Sequence, residues 1–536
     1  MKHFSKGLFV GAVIGALTMA APQLQAATPQ DQLVIGTSLA QVLSLDPHQA
    51  TEGKAVEIMS NFYDRLVASS PDGKILPQLA ESWTADDKGI TFKLRKANFA
   101  SGNPVTAKDV VYSLGRLLKL DQAAAANLKR VGYDKDNVDT LVKAVDDQTV
   151  RIDLSGQVTA ELLLYRLTMT TTSVVDSVEV QKHVVDNDYG NAWMRTHSAG
   201  SGPFTLNRWS PNELVILDAN KGYMGGAPKM RRVIVRHVPE SQVERLMLER
   251  GDIDIASALT ASDLATFQGK QGFDIQRIPT GGFYVLSMNA GNKYLASPKV
   301  REAIAYGIDY KGIEKTIMGP YGRARTIPVP ENFEYAIPSP DWHLDVEKAK
   351  QLLSDAGYKD GFSLTLKTIA QTPRIDLATA IQASLAQIGI KVDIRQGNGS
   401  EIIAAHRGRD FDLLIPQTSA YMPNVLGSME QFSSNPDNSL EANNAGNFVW
   451  RSAWDIPELT ALTAKATMEP DPKKRGELYV QMQKMFVEQK PAVLPLFERF
   501  EPIVLSSKVQ GYVGHPSQLT RLENVTKVEK IGRAHV

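Results

Sequence analysis

The chain has 536 residues and carries 59 Lys and Arg against 59 Asp and Glu, so its formal net charge is zero. This balance argues against the concentrated basic face that nucleic-acid binding needs and against electrostatic adsorption to a membrane. No cysteine is present, which excludes a disulfide framework and a lipid-modified cysteine. A chain of this length can bury a large core without such crosslinks.

The N-terminus predicts an export signal. Lys2, His3 and Lys6 form a short basic start, residues 8–21 are apolar or small, and Ala26 precedes a plausible cleavage point. This order is typical of a secretory signal, and the apolar run is shorter than the roughly 20 residues needed to span a bilayer. We therefore expect residues 1–26 to be removed and the mature chain to be a soluble periplasmic protein.

Helical and strand patterns alternate along the mature chain. Strands are predicted over 32–36, 90–94, 213–217, 232–236, 283–289, 363–368 and 391–395. Helices are predicted over 56–66, from Thr106 onward, and over 243–250, 297–308, 346–356 and 376–388. Such a mixture, with short Gly-containing joints, indicates an α/β or α+β architecture. Because no repeat or low-complexity linker occurs, we expect domains that are interleaved in sequence.

Several motifs occur in a specific order and spacing. They are LDPH (45–48), FYDRL (62–66), LPQLAESW (76–83), GITFKLR (89–95), SGNPVTAKDVVYS (101–113), GSGPF (200–204), YMGGAP (223–228) and VREAIAYGID (300–309). Together they resemble the extracellular solute-binding proteins of family 5, which include dipeptide-, oligopeptide- and nickel-binding proteins. The resemblance extends from about residue 32 to about residue 510.

This resemblance implies a fold and a set of boundaries. The fold is an α/β, two-lobed periplasmic binding protein type II fold in its large, three-domain variant, with a hinge and an interlobe cleft. The implied ranges are a first-lobe core at 27–55, 200–283 and 498–530, an inserted domain at 56–199, and a second lobe at 284–497. The last six residues (531–536, IGRAHV) look like a non-native tail.

The resemblance also implies a function. The protein would capture a peptide or peptide-like solute and deliver it to the permease subunits of an ABC importer, as a monomer and without a cofactor. The alternatives are a non-peptide ligand, namely an opine, an oligosaccharide or sugar conjugate, or a nickel chelate. An exported hydrolase is a remote alternative, because no nucleophile elbow, zinc motif or Walker A loop occurs. We therefore expect no enzymatic activity.

The position that binds the ligand's amine in peptide-binding relatives differs here. The resemblance places Ser419 where an Asp is common, and no carboxylate occurs between Asp412 and Glu430. Desolvating an unpaired ammonium costs several kcal/mol, so we expect a ligand without a free α-amine.

Other candidate contacts follow from the resemblance. Arg374 lies near the position of a carboxylate-binding Arg, although a solvated loop residue is an equal alternative. Further candidates are the aromatic residues Phe283, Tyr284, Tyr421, Trp450 and Trp454, the hydrogen-bonding residues Ser419 and Asn447, and His48 near the hinge. For His48 a structural turn is favoured over a metal ligand, and we predict no metal site.

Overall fold

The structure is a computed structural model, and it describes residues 28–418 and 424–528. The predicted signal peptide (1–26), the candidates Ser419 and Tyr421, and the predicted tail (531–536) lie outside these residues. Within the described ranges, no helix is both long enough and apolar enough to cross a membrane.

The strands, in chain order, are β1 Gln32–Thr37, β2 Val67–Ser69, β3 Ile75–Pro77, β4 Ala80–Ala85, β5 Gly89–Leu94, β6 Val142–Asp146, β7 Thr149–Asp153, β8 Phe204–Ser210, β9 Leu214–Ala219, β10 Arg232–His237, β11 Ile255–Ala256, β12 Phe273–Met288, β13 Gly322–Ala324, β14 Phe362–Ile369, β15 Ile390–Gly397, β16 Leu413–Leu414, β17 Val493–Ser506, β18 Val509–Gln510 and β19 Thr526–Lys527.

The α-helices are α1 Gly53–Met59, α2 Ala107–Leu120, α3 Ala126–Lys129, α4 Val138–Leu141, α5 Ala160–Arg166, α6 Ser177–Gln181, α7 Asn191–Met194, α8 Ser241–Arg250, α9 Ala261–Ala265, α10 Pro298–Tyr306, α11 Tyr310–Ile313, α12 Val346–Asp355, α13 Arg374–Ala386, α14 Gly399–Arg407, α15 Val425–Ser433, α16 Phe448–Arg451, α17 Pro457–Met468 and α18 Pro472–Glu488.

One large sheet runs through the molecule in the order β15-β14-β16-β12-β17-β11-β1-β10-β9-β8, with β13 added to β17. β1 is parallel to β10 and β11, and β14 is parallel to β15 and β16. Parallel neighbours need crossover connections, which the intervening helices supply. Two separate groups of parallel strands therefore lie on opposite sides of β12 and β17.

Two long strands join these groups. β12 and β17 run antiparallel from the pair Phe273↔Ser506 to the pair Ser287↔Val493. β17 also pairs with β11, and β12 also pairs with β16. We call the part built around β1 and β8–β11 the first lobe, and the part built around β14–β16 the second lobe. The chain thus passes between the lobes along two adjacent strands.

The pairing is irregular where these strands pass between the lobes. The register shifts between Pro279 and Phe283. Gly281, inside this interval, has a φ of +63°, which glycine adopts at little cost. Such an irregularity bends a strand and re-aims its side chains. We call residues 279–284 and 498–501 the hinge crossing.

A four-stranded antiparallel sheet, β4-β5-β7-β6, lies between residues 80 and 153, inside the range predicted for an inserted domain. Helix α2 packs on it and begins with a capping box in which Thr106 and Asp109 bond reciprocally. We call residues 80–194 the inserted segment. The domain boundaries themselves stay a prediction.

A hydrophobic cluster extends without a break from the inserted segment into the second lobe. It contains Leu162 and Leu163 of α5 together with Leu426 and Met429 of α15. Apolar side chains of both parts are therefore removed from water together, which stabilises the contact by roughly 25 cal/mol for each Å² buried.

The alternating predicted elements are confirmed, but two were misjudged. The helix predicted over 56–66 ends at Met59, because the backbone beyond it bonds to other segments: Asn61 and Asp64 accept hydrogen bonds from the N–H groups of Phe204 and Val174 at 3.0 and 2.9 Å. The strand predicted over 283–289 begins at Phe273. Pairing with β17 extends it through residues that carry no clear alternation.

Candidate ligand-binding cleft

The hinge crossing holds Thr418, which directly precedes residues 419–423. Thr418 donates its N–H to Phe283 O at 2.8 Å, and its hydroxyl accepts from Phe283 N at 2.9 Å. Arg499 of β17 donates to Thr418 O at 2.9 Å. The backbone of Thr418 is therefore fixed by both crossing strands.

Arg374 is the first residue of α13 and is 7% exposed. Its Nη2 donates to Gln371 Oε1 at 3.1 Å, but no carboxylate of the described residues forms an ion pair with it. Burial lowers the pKa of Arg374 to about 10, and Arg499 acts in the same direction. A cation at a helix N-terminus also opposes the helix dipole. The guanidinium and the helix end together favour an anion at this place.

Tyr284 connects Arg374 with the hinge crossing. It is 4% exposed, and burial raises the pKa of its hydroxyl while Arg499 and Arg374 oppose that rise. Glu501 raises the pKa of the same hydroxyl. Charged groups from β17 and from α13 thus converge around the phenol of Tyr284 on β12.

Lys54, Glu57 and Glu501 form an ion cluster, which we call the Lys54 cluster. Lys54 Nζ lies 2.6 Å from Glu57 Oε2 and 3.3 Å from Glu501 Oε1. Lys54 and Glu57 are three residues apart on α1 and share one helix face. Glu501 follows Arg499 by two positions on β17, so both side chains point to the same side of the strand.

The Lys54 cluster faces an internal space. The side chains of Lys54, Glu57 and Glu501 keep 18%, 21% and 23% of their surface exposed. Glu57 and Glu501 line a narrow cavity of about 10 Å³, which has room for about one water molecule, together with Tyr512. Its apolar wall consists of Ile35, Ile255, Ile278 and Ile503. The cavity therefore has an aliphatic wall from the first-lobe strands and a charged rim at the hinge crossing.

Burial and mutual attraction set the protonation of this cluster. Burial raises the pKa of Glu57. Burial also acts on Glu501, but Lys54 and Arg499 outweigh it and hold the pKa of Glu501 below its usual value. The two carboxylates hold the pKa of Lys54 above its usual value in spite of burial. At neutral pH, a charged ammonium is thus compensated by at least one carboxylate.

Ion pairs connect the inserted segment with the second lobe. Glu430 of α15 accepts from Arg166 Nη1 at 3.1 Å and from Arg166 Nη2, and it lies 3.4 Å from Arg130 Nη1. Arg130 also donates to Gly446 O at 2.8 Å. The two arginines outweigh burial and hold the pKa of Glu430 below its usual value. These pairs therefore join the inserted segment to α15 of the second lobe.

His48 lies in a buried ion-pair network within the first lobe. Arg116 donates to Asp46 at 2.6 and 2.8 Å, and its Nη1 lies 2.9 Å from His48 Nδ1. Since Arg can only donate, Nδ1 accepts, and Nε2–H donates to Ser173 O at 3.0 Å. Burial lowers the pKa of His48 to about 4. A ligand could reach this ring only if these bonds broke, which agrees with the structural turn expected for it.

Two further candidates have partners within the second lobe. The indole N–H of Trp450 donates to Ser439 O at 2.8 Å, and the Arg409 guanidinium lies 4.0 Å from its ring centre. Asn447 caps α16 by accepting from Val449 N at 2.9 Å. Their roles as ligand contacts stay predictions.

The remaining aromatic candidates are packed in the hydrophobic cluster. Phe283 is fully buried and meets the edge of Phe432 with ring centres 6.4 Å apart. Trp454 is 5% exposed and packs against Phe486 at 6.0 Å. Of the nine candidates, the structure brings Phe283, Tyr284 and Arg374 together at the hinge crossing, and Ser419 and Tyr421 lie outside the described residues.

Sequence reasoning missed Arg499 and the Lys54 cluster. One available signal was the spacing of Lys54 and Glu57, which places opposite charges on one helix face. Another was the group of charged residues Glu498, Arg499 and Glu501 in a largely apolar strand. Neither signal reveals that α1 lies against β17, because the two segments are more than 400 residues apart in sequence.

Comparison with known proteins places this arrangement in a family. Residues 74–439 match the family profile of the bacterial extracellular solute-binding proteins, family 5. The probable D,D-dipeptide-binding periplasmic protein DdpA of Escherichia coli K12 is 30% identical over 520 residues, which cover 95% of this chain and 96% of DdpA.

Solved structures share the fold. The periplasmic binding protein DppA of Helicobacter pylori, in complex with the peptide STSA, superposes with a TM-score of 0.81 at 25% identity, covering 92% of this chain and 98% of that one. AgaA of A. tumefaciens R10, in complex with agropinic acid, gives 0.80 at 24% identity, covering 94% and 100%. The two-lobed α/β fold predicted from the sequence is thereby confirmed. The chain belongs to the family 5 bacterial extracellular solute-binding proteins.

Proposed function

We propose that the protein is the periplasmic binding component of an ABC importer and that it captures a peptide or peptide-like solute bearing an anionic group. The observation that carries this proposal is Arg374, a buried guanidinium at a helix N-terminus with no carboxylate partner among the described residues. A buried unpaired charge costs several kcal/mol, so an anionic ligand would relieve a penalty that the empty protein bears.

The relatives support a peptide-like cargo. DdpA is described as a probable D,D-dipeptide-binding protein, and the H. pylori protein was solved with a bound peptide. A ligand carboxylate at Arg374 would lie beside Tyr284 and Arg499, which supply further hydrogen-bond donors. We propose that binding involves no chemical conversion, that the protein acts as a monomer, and that the closed lobes are what the permease recognises.

A thermal-shift screen tests the proposal. The purified protein is unfolded and refolded to remove co-purified cargo, and is then heated with free dipeptides, N-acetylated dipeptides, opines, oligosaccharides and nickel–histidine. A ligand at 100 times its Kd stabilises the folded state by about 2.7 kcal/mol, which shifts the melting temperature measurably. We expect carboxylate-bearing peptides or their derivatives to give the shift. A shift with uncharged oligosaccharides or with nickel–histidine alone would contradict it.

A further inference from the structure

We infer that Lys54 is a specificity-determining residue that occupies, within the cleft, the position a ligand ammonium would need. This inference rests on the proposed function and extends it to the ligand's other end. The ligand class it selects is a carboxylate-bearing solute whose nitrogen is blocked as an amide, such as an N-acylated peptide.

The geometry of Lys54 is that of a bound ammonium. Its Nζ bridges two carboxylates at 2.6 and 3.3 Å, which come from α1 and from β17. Both acids keep about a fifth of their surface open to the cavity, at 21% and 23%. Without Lys54, Glu57 and Glu501 would present two adjacent carboxylates to any cation entering from the hinge crossing.

The other carboxylates around the cleft are already engaged. Glu430 is paired with Arg166 and Arg130, and Glu498 accepts from Arg323 at 2.8 Å. Residues 419–423 read SAYMP and contain no acid. Glu57, Glu501, Glu430 and Glu498 are therefore each already paired with a cation of the protein.

The ammonium of Lys54 is attached to the protein, so it competes for the two carboxylates more effectively than the ammonium of a free ligand. Lys54 is attached to α1, so its effective concentration at the carboxylates is in the millimolar range or above, while a ligand must also lose its freedom of motion. A ligand ammonium that entered beside Lys54 would face a like charge. Arg374 and Arg499 add positive charge to the same site, so the described cleft disfavours a cation and favours an anion.

Binding of matched probes by titration calorimetry tests the inference. Alanyl-alanine and N-acetyl-alanyl-alanine differ only in the ammonium, and their Kd ratio is measured for the wild type, Lys54→Met and Lys74→Met. Lys74 pairs with Asp72 at 2.8 Å on the surface with 77% of its side chain exposed, so it controls for losing a paired lysine. We expect the wild type to favour the acetylated form at least tenfold. Lys54→Met should shift this ratio at least tenfold toward the free form, and Lys74→Met should leave it unchanged.

The outcomes separate the inference from the proposed function. A folded Lys54→Met protein with the wild-type ratio overturns the inference, as does a wild type that favours the free dipeptide. If the wild type binds neither probe, the proposed function is contradicted, and the inference still predicts that Lys54→Met gains binding of alanyl-alanine. If Lys54→Met does not fold, Lys54→Met/Glu501→Gln leaves a single carboxylate without its lysine. That variant should show the same shift, and its absence would overturn the inference.

Discussion

Arg374, the proposed anion contact, differs physically from Arg116, which has a structural role. Arg116 is also buried, but it is paired with Asp46 at 2.6 Å and completes the His48 network. Arg374 lies near Tyr284, and no carboxylate of the described residues forms an ion pair with it. If a ligand supplies a counter-charge to Arg374, as we propose, it relieves the cost of several kcal/mol that an unpaired buried charge imposes.

We predict that Arg374→Met weakens the binding of a carboxylate ligand at least tenfold, or about 1.4 kcal/mol, because the anion loses its main donor. The melting temperature of the empty protein should stay the same or rise, since an uncompensated buried charge is removed. Calorimetric Kd values and melting curves measure both effects. Arg395→Met is the control, because Arg395 is 67% exposed and pairs with Asp393 at 2.6 Å. Equal Kd values for the wild type and Arg374→Met would show that Arg374 does not contact the ligand.

The candidate contacts that the sequence could suggest were those with a family precedent, such as Arg374, Tyr284 and Phe283, and their roles stay predictions. Lys54 and Glu501 could not be found in this way, because their meaning depends on a contact between the first helix and the last long strand. Periodicity reports which face of an element is buried, but it does not report which distant element covers that face.

At the scale of elements, α5 of the inserted segment packs against α15 of the second lobe. Their apolar side chains belong to one cluster, and Arg166 and Glu430 pair inside it with side chains 3% and 10% exposed. Opening the lobes would return both charges to water. The pair therefore contributes little to the stability of either part alone. Removing one partner would raise the free energy of the closed state, because the other charge would stay buried and unpaired.

We predict that Glu430→Gln lowers ligand affinity tenfold or more through faster dissociation, because Arg166 would be left buried without its counter-charge when the lobes close. Stopped-flow dissociation rates with a fluorescent ligand measure the effect. Glu213→Gln is the matched control, since Glu213 pairs with Arg208 at 3.5 Å within the first lobe, with side chains 61% and 57% exposed. We expect it to change the rate less than threefold. Equal effects of the two variants would show that no closing contact exists at Glu430.

At the scale of the whole molecule, buried histidines make stability depend on pH. Burial lowers the pKa of His48 and of His515 to about 4, and that of His406 well below its usual 6.5. These rings stay neutral in the folded protein while the unfolded chain takes up protons below pH 6.5. Stability is therefore fully present above pH 6.5 and is lost as pH falls toward 4. Burial raises the pKa of Glu244 to about 8, so this residue instead makes the protein more stable as the pH falls below 8.

We predict that each such histidine costs about 2 kcal/mol of unfolding free energy between pH 7 and pH 5. His515→Gln should therefore lose about 2 kcal/mol less than the wild type over this interval, although it starts from a lower stability because the bond to Ser69 O at 3.0 Å is altered. Urea unfolding at both pH values gives the difference. His343→Gln, at a ring that is 51% exposed, should follow the wild type. If His515→Gln and the wild type lost the same unfolding free energy between pH 7 and pH 5, the prediction would be contradicted.

The position of β17 has a consequence for biosynthesis. This strand pairs with β11 of the first lobe, with β12 along its whole length and with β13, and it follows all three in the chain. The large sheet cannot be completed until residues 493–506 have been translated. A chain that stopped before them would expose the unpaired edges of β11 and β12, which favour aggregation. We therefore expect that truncation before β17 prevents both lobes from folding correctly.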